Sequence, residues 1–529
     1  MIDMKNVKTL FAAGVIVLLS ASSCNKDFLE LAPISQQNGN NFYKTGEDMK
    51  NALSAAYGGL QYGGLYYSSM HIIGDLRSDN TEITNPNAGA DQLAVDNFQN
   101  LVTNSISSTT WAGHYQAIQS ANIVIEKIQA VAMEENLKAR YAGEAKFLRA
   151  LMYFSLVRVF GGVPLVTKVI NNPQEGYSYG RESVENVYAQ ISTDLIDAEA
   201  SLPYEYTGAD IGRATKGAAM SLLGKVYLTQ RKWQLATDKL KEVIDNVALT
   251  KYQILPTYAG VFGIANENNR ESIFEVQFKK GATGEGSPFT NQFAPIGSGT
   301  AVVSVGNPLG QNIPTADMNN AYEANDARKA VSMRNSYVLS GNTVNHNYII
   351  KYSGTPAASL DSDNNWIVLR YADVYLMYAE ALNELDGSHT IPSWRGTTYT
   401  LSRDIAEMQK GIQPVRIRAG VPDYATAIYS NKNELRKTIK RERFIELVAE
   451  GQRYYDLRRW LDAAEEESLP VYGCNILMNA GNRDLFHTPV ATWVLKNTFA
   501  DKMWFWPIKH SELKRNNKLT QNPGWTYND

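Results

Sequence analysis

The chain has 529 residues and a formal net charge of −3, from 51 basic and 54 acidic residues. Hydrophobic residues make up 44% and charged residues 20% of the chain, which excludes wholesale disorder. Because no basic excess is present to neutralise phosphates, nucleic-acid binding is not expected. With only two cysteines, Cys24 and Cys474, the chain can form neither a disulfide scaffold nor a cysteine-only metal cage.

Residues 1–23 have the pattern of a secretory signal peptide. Lys5 and Lys8 precede the uncharged run Leu10 to Leu19, which is too short for a membrane span of about 20 residues. Cys24 follows a run of small residues, as in a lipobox, where the cysteine is acylated and becomes the mature N-terminus. The alternative is ordinary secretion, with Cys24 free or paired with Cys474.

Hydrophobic periodicity predicts a chain made mostly of helices. Residues 24–44 are polar and are expected to form a tether, and the Gly-, Asn- and Tyr-rich segment 61–106 is expected to be irregular. Residues 250–365 are expected to be an insertion of loops and short strands, with a strand through Phe274, Val276 and Phe278. The predicted helices span 46–60, 108–131, 134–159, 182–201, 213–229, 232–247, 367–385, 399–411, 432–449 and 452–465.

The segment 213–246 has the length and spacing of a tetratricopeptide repeat. Gly224 and Ala236 fall where the two helices of such a repeat cross, and a close crossing requires small residues. Similar pairs can be drawn at 134–201, 367–411 and 432–465. The sequence therefore predicts a mainly α fold, a tetratricopeptide-like superhelix of helical hairpins with a loop-rich face and a few short strands. One amphipathic hairpin alone would not establish such a repeat.

Catalytic signatures are scarce, and the densest charged cluster lies between residues 441 and 459. The chain has no HExxH, GxSxG, P-loop or GxGxxG motif. A catalytic interpretation of the cluster would pair Glu446 with Glu450 as in a glycosidase. The favoured interpretation is a salt-bridge network between two helices, with Arg443 near Glu446 and Arg453 near Glu450 and Asp456.

Several blocks resemble the SusD/RagB family of outer-membrane nutrient-binding lipoproteins. They follow the family's order along essentially the whole mature chain, and Lys509 is a departure, where a second proline is usual. The blocks are Glu144 to Tyr153, Phe160 to Leu165, Arg213 to Gly217, Arg370 to Asn383, Arg416 to Pro422, Arg441 to Arg459 and Pro507 to Trp525.

The resemblance implies a lipid anchor at Cys24, in the outer membrane and facing the cell exterior. It implies a non-catalytic protein that captures glycans, or in some members peptides, and delivers them to a SusC-like TonB-dependent transporter. No cofactor or metal is implied. The expected organisation is a signal peptide (1–23), a tether (24–44) and one helical domain, 45–529, with parts 45–250, 250–365 and 366–529. Alternatives are a lipid-anchored carbohydrate-active enzyme and a protein-only binding scaffold.

Sugar-binding sites in this family use aromatic platforms and polar side chains from variable loops. The candidate ligand-binding residues here therefore come from segments outside the predicted helices. Sugar C–H faces stack on rings, while the hydroxyls need donors and acceptors. Trp111, in contrast, is expected to lie in the core. The expected platform rings and their hydrogen-bonding partners are Trp394, Tyr66, Tyr67, Tyr337, Arg77, Asp79 and Asn87.

Overall fold

The structure is a computed structural model that describes residues 42–385 except 86 and 250, together with 389–392, 398–401, 403–461 and 504–526. The predicted signal peptide, Cys24, Cys474 and Trp394 lie outside the described residues. Within the described ranges, no helix combines the length and the apolar character that a bilayer crossing requires.

The described part of the chain is mainly helical, as predicted. Its longer helices are α1 (Gly46–Gly58), α2 (Ser105–Lys127), α3 (Glu135–Phe160), α4 (Val184–Ser201), α5 (Lys216–Thr229), α6 (Trp233–Asp245), α7 (Tyr371–Glu384), α8 (Lys432–Glu446) and α9 (Arg453–Leu461). Shorter helical segments lie at Gly59–Gln61, Ser69–His71, Ile72–Leu76, Ala90–Asp96, Ile128–Ala130, Pro173–Gly176, Gly208–Asp210, Val247–Leu249, Tyr258–Val261, Ile264–Asn266, Phe289–Gln292, Gly299–Ala301, Ala316–Asn320, Ala327–Ser332, Ile405–Lys410, Gln413–Arg418, Thr426–Ser430 and His510–Arg515.

Side-chain caps fix where these helices begin. Thr45 and Asp48 form a capping box at the start of α1, and Ser183 and Thr215 cap α4 and α5 through their hydroxyl groups. Gly161 ends α3 with a φ of 71°, a left-handed conformation that glycine adopts without strain.

The long helices pack as consecutive antiparallel neighbours. α3 packs on α4, α5 on α6, and α6 on α7. A Cβ added at Gly224 would lie 2.6 Å from Leu240 Cδ2, so α5 and α6 cross closely and Gly224 must be small, as the repeat spacing predicted. The predicted pairs 134–201 and 213–247 are therefore confirmed, and the fold is the expected tetratricopeptide-like superhelix.

Three sequence expectations differ from the structure. The stretch predicted as one helix over 399–411 is a strand at Thr398–Leu401 followed by a helix at Ile405–Lys410, because Asp404 caps a new start. The segment predicted as irregular, 61–106, contains three short helices, of which Ile72–Leu76 has π geometry. The helix predicted over 367–385 begins only at Tyr371, because the residues Trp366–Arg370 form a strand.

The strands are short and form two-stranded antiparallel pairs within the described residues. β2 (Ser272–Val276), which contains Phe274 and Val276 of the predicted strand, pairs with β6 (Trp366–Arg370), and both strands are buried along their whole length. β4 (Met333–Leu339) and β5 (Asn342–Ile349) form a hairpin. The other pairs are β1 (Thr81–Glu82) with β3 (Ile313–Pro314), and β7 (His389–Pro392) with β8 (Thr398–Leu401).

Candidate ligand-binding face

Two segments that are far apart in sequence meet at the loop-rich side of the fold. β1 and β3 pair in the register Thr81↔Pro314, which joins the segment 61–98 to the insertion. Thr81 Oγ1 donates to Asn312 Oδ1 at 2.6 Å, and Gln311 Nε2 donates to Gln92 Oε1 at 3.0 Å. The two loop segments expected to hold the ligand site are therefore bonded directly to each other.

A histidine–threonine pair lies at this junction. His346 Nδ1 is 2.7 Å from the carbonyl oxygen of Asn347, an obligate acceptor, so Nδ1 carries the proton in the neutral ring. Nε2 is then free to accept from the Thr84 hydroxyl, 3.3 Å away. Thr84 is exposed, and Asn87 lies nearby in an Asx turn in which its N–H donates to Asn85 Oδ1 at 2.9 Å.

Tyr67 is a half-buried ring in the segment 61–98. Burial raises the pKa of its phenol, and the nearby charge of Asp361 adds to that rise. The Asp361 carboxylate is held in place by the backbone N–H groups of Gly281 and Ala282, at 3.1 Å and 2.9 Å from Oδ2. A neutral phenol beside a fixed carboxylate presents both a stacking face and a hydrogen-bonding group.

We call the exposed and half-buried set Tyr67, Thr84, Asn87, Gln92 and His346 the loop face. It offers one ring, a hydroxyl, two amides and an imidazole, which are the groups that bind a polyhydroxylated ligand. Among the described residues, no group of histidine, cysteine or acidic side chains has the arrangement of a metal site. The chemistry of these groups is therefore suited to stacking and hydrogen bonding with a sugar.

The structure corrects the expected exposure of two candidate rings. Tyr66 is 3% exposed and packs in the main core, because the turn after α1 folds back under the helices. Tyr337 is 9% exposed and packs edge-on against Tyr348 beneath the β4–β5 hairpin. Side chains alternate between the two faces of a strand, and Tyr337 lies on the inward-facing side of β4. The alternating pattern in the sequence is too short to predict this orientation.

The expected partners Arg77 and Asp79 are also buried rather than facing solvent. Asp79 accepts from Arg453 Nε and Nη2 at 2.8 Å and 3.0 Å, so its carboxylate is occupied by an ion pair. The Arg77 guanidinium lies over the rings of Tyr454 and Trp506. Both side chains fix α9 to the N-terminal part, and of the seven predicted site residues the structure leaves Tyr67 and Asn87 on the loop face.

Sequence reasoning missed Thr84 and His346 as members of this face. His346 belongs to no ligand motif in the sequence, and its partner lies 262 positions away along the chain. No local pattern marks such a pair, because β1, which precedes Thr84, is connected to β5, which carries His346, through the two-residue strand β3.

The charged cluster predicted from the sequence is part of a buried charge network. Its members are buried side chains of opposite sign, contributed by α8, β2, β6 and the segments between them: Glu271, Asp326, Arg328, Lys351, Arg370, Arg416, Arg418, Glu442, Glu446 and Glu450.

Glu446 lies at the centre of this network. It accepts from Arg370 Nη1 at 2.7 Å and from Arg328 Nη1 at 3.2 Å, and it also contacts Arg418. Burial alone would raise the pKa of Glu446, but the charges of Arg418, Arg370 and Arg328 outweigh it and hold that pKa well below the usual glutamate value.

The carboxylate of Glu450 is also engaged by buried cations, so the structural interpretation of the cluster is confirmed. Arg370 Nε donates to Glu450 Oε2 at 2.6 Å, and Lys351 Nζ donates to Oε1 at 2.7 Å. Glu446 is 0% and Glu450 2% exposed, so neither carboxylate can reach a substrate. The individual pairings expected for Arg443 and Arg453 are wrong.

Arg443 pairs with Asp373 and Asp456, while Arg453 pairs with Asp79. Arg453 reaches a loop that is 374 positions away in the chain, so spacing on one helix could not reveal its partner. α8 and α9 are still joined as expected, through the Arg443–Asp456 ion pair at 2.8 Å.

Comparisons with known proteins identify the family. The sequence profile of the SusD family matches residues 339–525, and the profile described as "starch-binding associating with outer membrane" matches residues 27–228. SusD-like protein P2 of Formosa agariphila is 27% identical over 549 residues, covering 99% of this chain and all of that protein. This chain belongs to the SusD family.

Other SusD-family proteins show the same likeness. The starch-binding protein SusD of Bacteroides thetaiotaomicron is 26% identical over 289 residues, which are 51% of this chain and 51% of that protein. The structure of a laminarin-binding SusD-like protein has a TM-score of 0.71 at 27% identity, covering 91% of this chain and all of the other. A SusD homologue from Bacteroides thetaiotaomicron, 22% identical, has a TM-score of 0.73 and the same fold; that match covers 92% of this chain and 98% of the other.

Proposed function

We propose that this protein captures glycans at the cell surface without catalysing their cleavage. The observation that carries the proposal is the loop face, a half-buried ring and several sugar-type hydrogen-bonding groups on loops that the helical scaffold supports. The names of two relatives, which refer to starch and laminarin, support a glucan as the first class of ligand to examine. The occupied carboxylates of Glu446 and Glu450 favour binding over hydrolysis.

Affinity electrophoresis through gels that contain single polysaccharides tests this proposal. The panel should include starch, laminarin, a xylan and a pectin, with the same incubations checked for released oligosaccharides. We expect slower migration in one or more gels and unchanged glycan length. Accumulating products would favour a carbohydrate-active enzyme. Unchanged migration in every gel, with retained protein ligands, would favour a protein-only scaffold.

We further propose that the mature protein is anchored to the outer membrane through Cys24 and faces outward. The sequence of residues 1–24 and the match to an outer-membrane-associated family support this arrangement. A diacylglycerol and an amide-linked chain would together supply the several acyl chains that stable anchoring needs. Labelling with an alkynyl fatty acid should mark the wild type and not Cys24→Ala. Equal labelling of both proteins would refute the anchor, and protease shaving of intact cells tests its orientation.

The proposed transport partner is a SusC-like TonB-dependent transporter. The likeness to SusD-family proteins supports this proposal, and delivery to a transporter would complete surface capture, because a polysaccharide bound outside the cell still has to cross the outer membrane. Co-purification from solubilised outer membranes through a tag on this protein tests it. A transporter of that class should be recovered with the wild type, and its consistent absence under mild detergent would count against the partnership.

We also propose that residues 45–529 fold as one domain. Support comes from ion pairs and hydrogen bonds that join the N-terminal and C-terminal parts directly. Arg453 binds Asp79, and the N–H of Gly451 donates to Asp75 Oδ2 at 2.8 Å. Thermal unfolding should then be a single cooperative transition, and two separated transitions would contradict it.

A further inference from the structure

A cleft of about 800 Å³ lies between α2 and the C-terminal segment, and it shares no lining residue with the loop face. One wall is a face of α2 from Ser108 to Gln119, and the opposite wall is the segment 509–519. Its floor is the loop that runs from Pro164 to Tyr177. The volume falls in the range of about 300–1,000 Å³ that is common for small-molecule sites.

Hydrogen bonds to this floor hold the cleft in shape. The Tyr115 hydroxyl donates to the Pro164 carbonyl oxygen at 2.8 Å. Gln119 makes two hydrogen bonds to the backbone of Ile170. Its Nε2 donates to the carbonyl oxygen at 2.9 Å, and its Oε1 accepts from the N–H at 3.0 Å. On the other wall, Asn516 Nδ2 donates to the Tyr179 carbonyl oxygen at 2.8 Å. Both walls are therefore tied to the floor before any ligand binds.

Three aromatic side chains line the cleft: Trp111, Tyr115 and Tyr177. Trp111 is 9% exposed and packs edge-on against Phe160, with ring centroids 5.1 Å apart, so its orientation is fixed. Its indole N–H has no hydrogen-bond partner among the described residues, yet it is not sealed from solvent. This N–H is therefore an accessible donor that no residue of the described ranges occupies, and a ligand in the cleft would accept from it.

The rim of the cleft adds polar groups on the C-terminal side. Lys509 is half-buried, and no ion pair or hydrogen bond engages its ammonium group within the described part of the chain. Ser511 and Glu512 lie beside it on the short helix His510–Arg515. The rings lie on the α2 wall and the floor, and the donors and acceptors lie at the rim. This arrangement matches a ligand with apolar faces and hydroxylated edges.

We propose that this cleft is a second carbohydrate site, which binds a short pyranose oligosaccharide through Trp111, Tyr177 and Lys509. The C–H faces of the sugar would lie against the Tyr177 and Trp111 rings, while a ring hydroxyl or oxygen would accept from the Trp111 indole N–H. A hydroxyl or carboxylate substituent would bind the Lys509 ammonium. The proposal rests on the proposed function only for the class of ligand, because the two sites have no residue in common.

Calorimetry on the mature protein carrying Tyr67→Ala tests the cleft after the loop face has been weakened. The probes are laminarihexaose, maltohexaose and a trigalacturonate. We expect residual binding of at least one probe that is weakened about tenfold by a further Tyr177→Ala substitution. Tyr179→Ala is the matched control, since Tyr179 is also half-buried but does not line the cleft, and it should leave the affinity unchanged within about twofold.

Trp111→Phe gives a second readout, because phenylalanine keeps much of the ring packing and removes the N–H donor. It should weaken residual binding several-fold without lowering the melting temperature by more than a few degrees. Hydrogen–deuterium exchange reports on location: each bound probe should protect amides in 164–179 and 509–519. Absence of protection there with all three probes would overturn the cleft proposal, as would equal affinities of the Tyr177→Ala and Tyr179→Ala proteins.

Two outcomes distinguish a failure of the second site from a failure of the proposed function. Retarded migration in polysaccharide gels together with no protection of the cleft would leave surface glycan capture standing and remove the second site. Protection of the cleft in a protein whose loop-face variants bind normally would instead move the main site from the loop face to the cleft.

Discussion

The buried charge network and the loop face are both rich in polar side chains, and they differ in what satisfies those groups. In the network each carboxylate is satisfied by the protein itself: Glu446 alone meets Arg328, Arg370 and Arg418. On the loop face, Asn87 is exposed and Tyr67 and His346 are half-buried, so these side chains stay partly open to solvent. Density of charge in the sequence therefore marks the part of this protein that holds the fold, and polar loops of lower charge form the part that we propose binds the ligand.

The same contrast separates the two aromatic populations. Tyr352 stacks on Trp366 of β6, and Phe289 packs at a tilt against both rings, with centroids 5.0–5.3 Å apart, so all three are inaccessible to ligand. Tyr67 keeps a partly open face. Removing a group from the network should therefore reduce stability, while removing one from the loop face should reduce affinity.

The largest effect is expected from Glu446→Gln. Removing this charge leaves three buried guanidinium groups without their shared carboxylate, which should lower the free energy of unfolding by about 3–5 kcal/mol. Urea denaturation at neutral pH measures the loss. Glu434→Gln is the control, since Glu434 pairs only with Lys437 on the surface of α8 and should change stability by less than about 1 kcal/mol. An unchanged unfolding midpoint with abolished glycan binding would reverse the assignment of the network.

Acid should weaken the network before it weakens the loop face. The folded-state pKa of Glu446 lies below the ordinary value of 4.5, so its stabilising contribution is present above about pH 4.5 and is lost as the pH falls toward the folded-state value. Between about pH 5 and pH 3, wild type should lose about 2 kcal/mol more stability than Glu446→Gln. Urea titrations at a series of pH values measure this, and parallel pH profiles for the two proteins would contradict it.

Asp75 should act in the opposite direction on the alkaline side. Burial raises the pKa of its carboxyl to about 7, partly offset by the hydrogen bond from the Gly451 N–H. Its folded-state pKa exceeds the unfolded one, so its contribution favours folding at low pH and is lost as the pH rises through about 7. The stability of Asp75→Asn relative to wild type should therefore improve from pH 5 to pH 8 by about 1 kcal/mol or more. A constant difference would argue against a protonated Asp75.

A smaller and different effect is expected from Tyr67→Ala. Loss of the ring should weaken binding of the retained glycan about tenfold, with the unfolding transition little changed. Tyr67→Phe keeps the stacking face and should retain most of the affinity. Calorimetry with both variants separates stacking from hydrogen bonding. Wild-type affinity of Tyr67→Ala would place the platform elsewhere, and equal losses in both variants would point to the hydroxyl instead.

The smallest effect is expected from Asn87→Ala. An exposed amide that exchanges water for a sugar hydroxyl contributes about 0.5–1.5 kcal/mol, so affinity should fall about two- to tenfold. Asn320→Ala removes a comparable exposed amide outside the loop face and serves as the control. The same calorimetric titration measures both proteins. A loss of affinity that is equal in the two variants would show that Asn87 has no special role.

Much of the scaffold could be predicted because its signals are local. The 3.6-residue period of α3, α5 and α6 and the small residue Gly224 at a helix crossing are properties of a few turns of chain. The structural role of the charged cluster around Glu446 was also predictable, because like-charged neighbours on a helix need shared counter-ions.

The site was harder to predict because its contacts are long-range. Asp79 was expected to face a ligand and instead binds Arg453, and Tyr66 lies in the core although glycines surround it in sequence. His346 meets Thr84 across two distant segments that β3 connects, since β3 pairs with β1 and contacts β5. Composition and turn signals located the loops correctly, but which side of a loop faces inward is decided by tertiary packing.

A crystal structure of the mature protein with the oligosaccharide that it retains in gels tests the central claim most directly. We predict sugar density on the loop face, with one pyranose ring stacked on Tyr67 and hydroxyls within hydrogen-bonding distance of Asn87 or His346. The buried charge network should keep its ion pairs, including Glu446 with Arg370. A bound sugar that contacts Glu446 or Glu450, or a fully liganded crystal with an unoccupied loop face, would contradict this account.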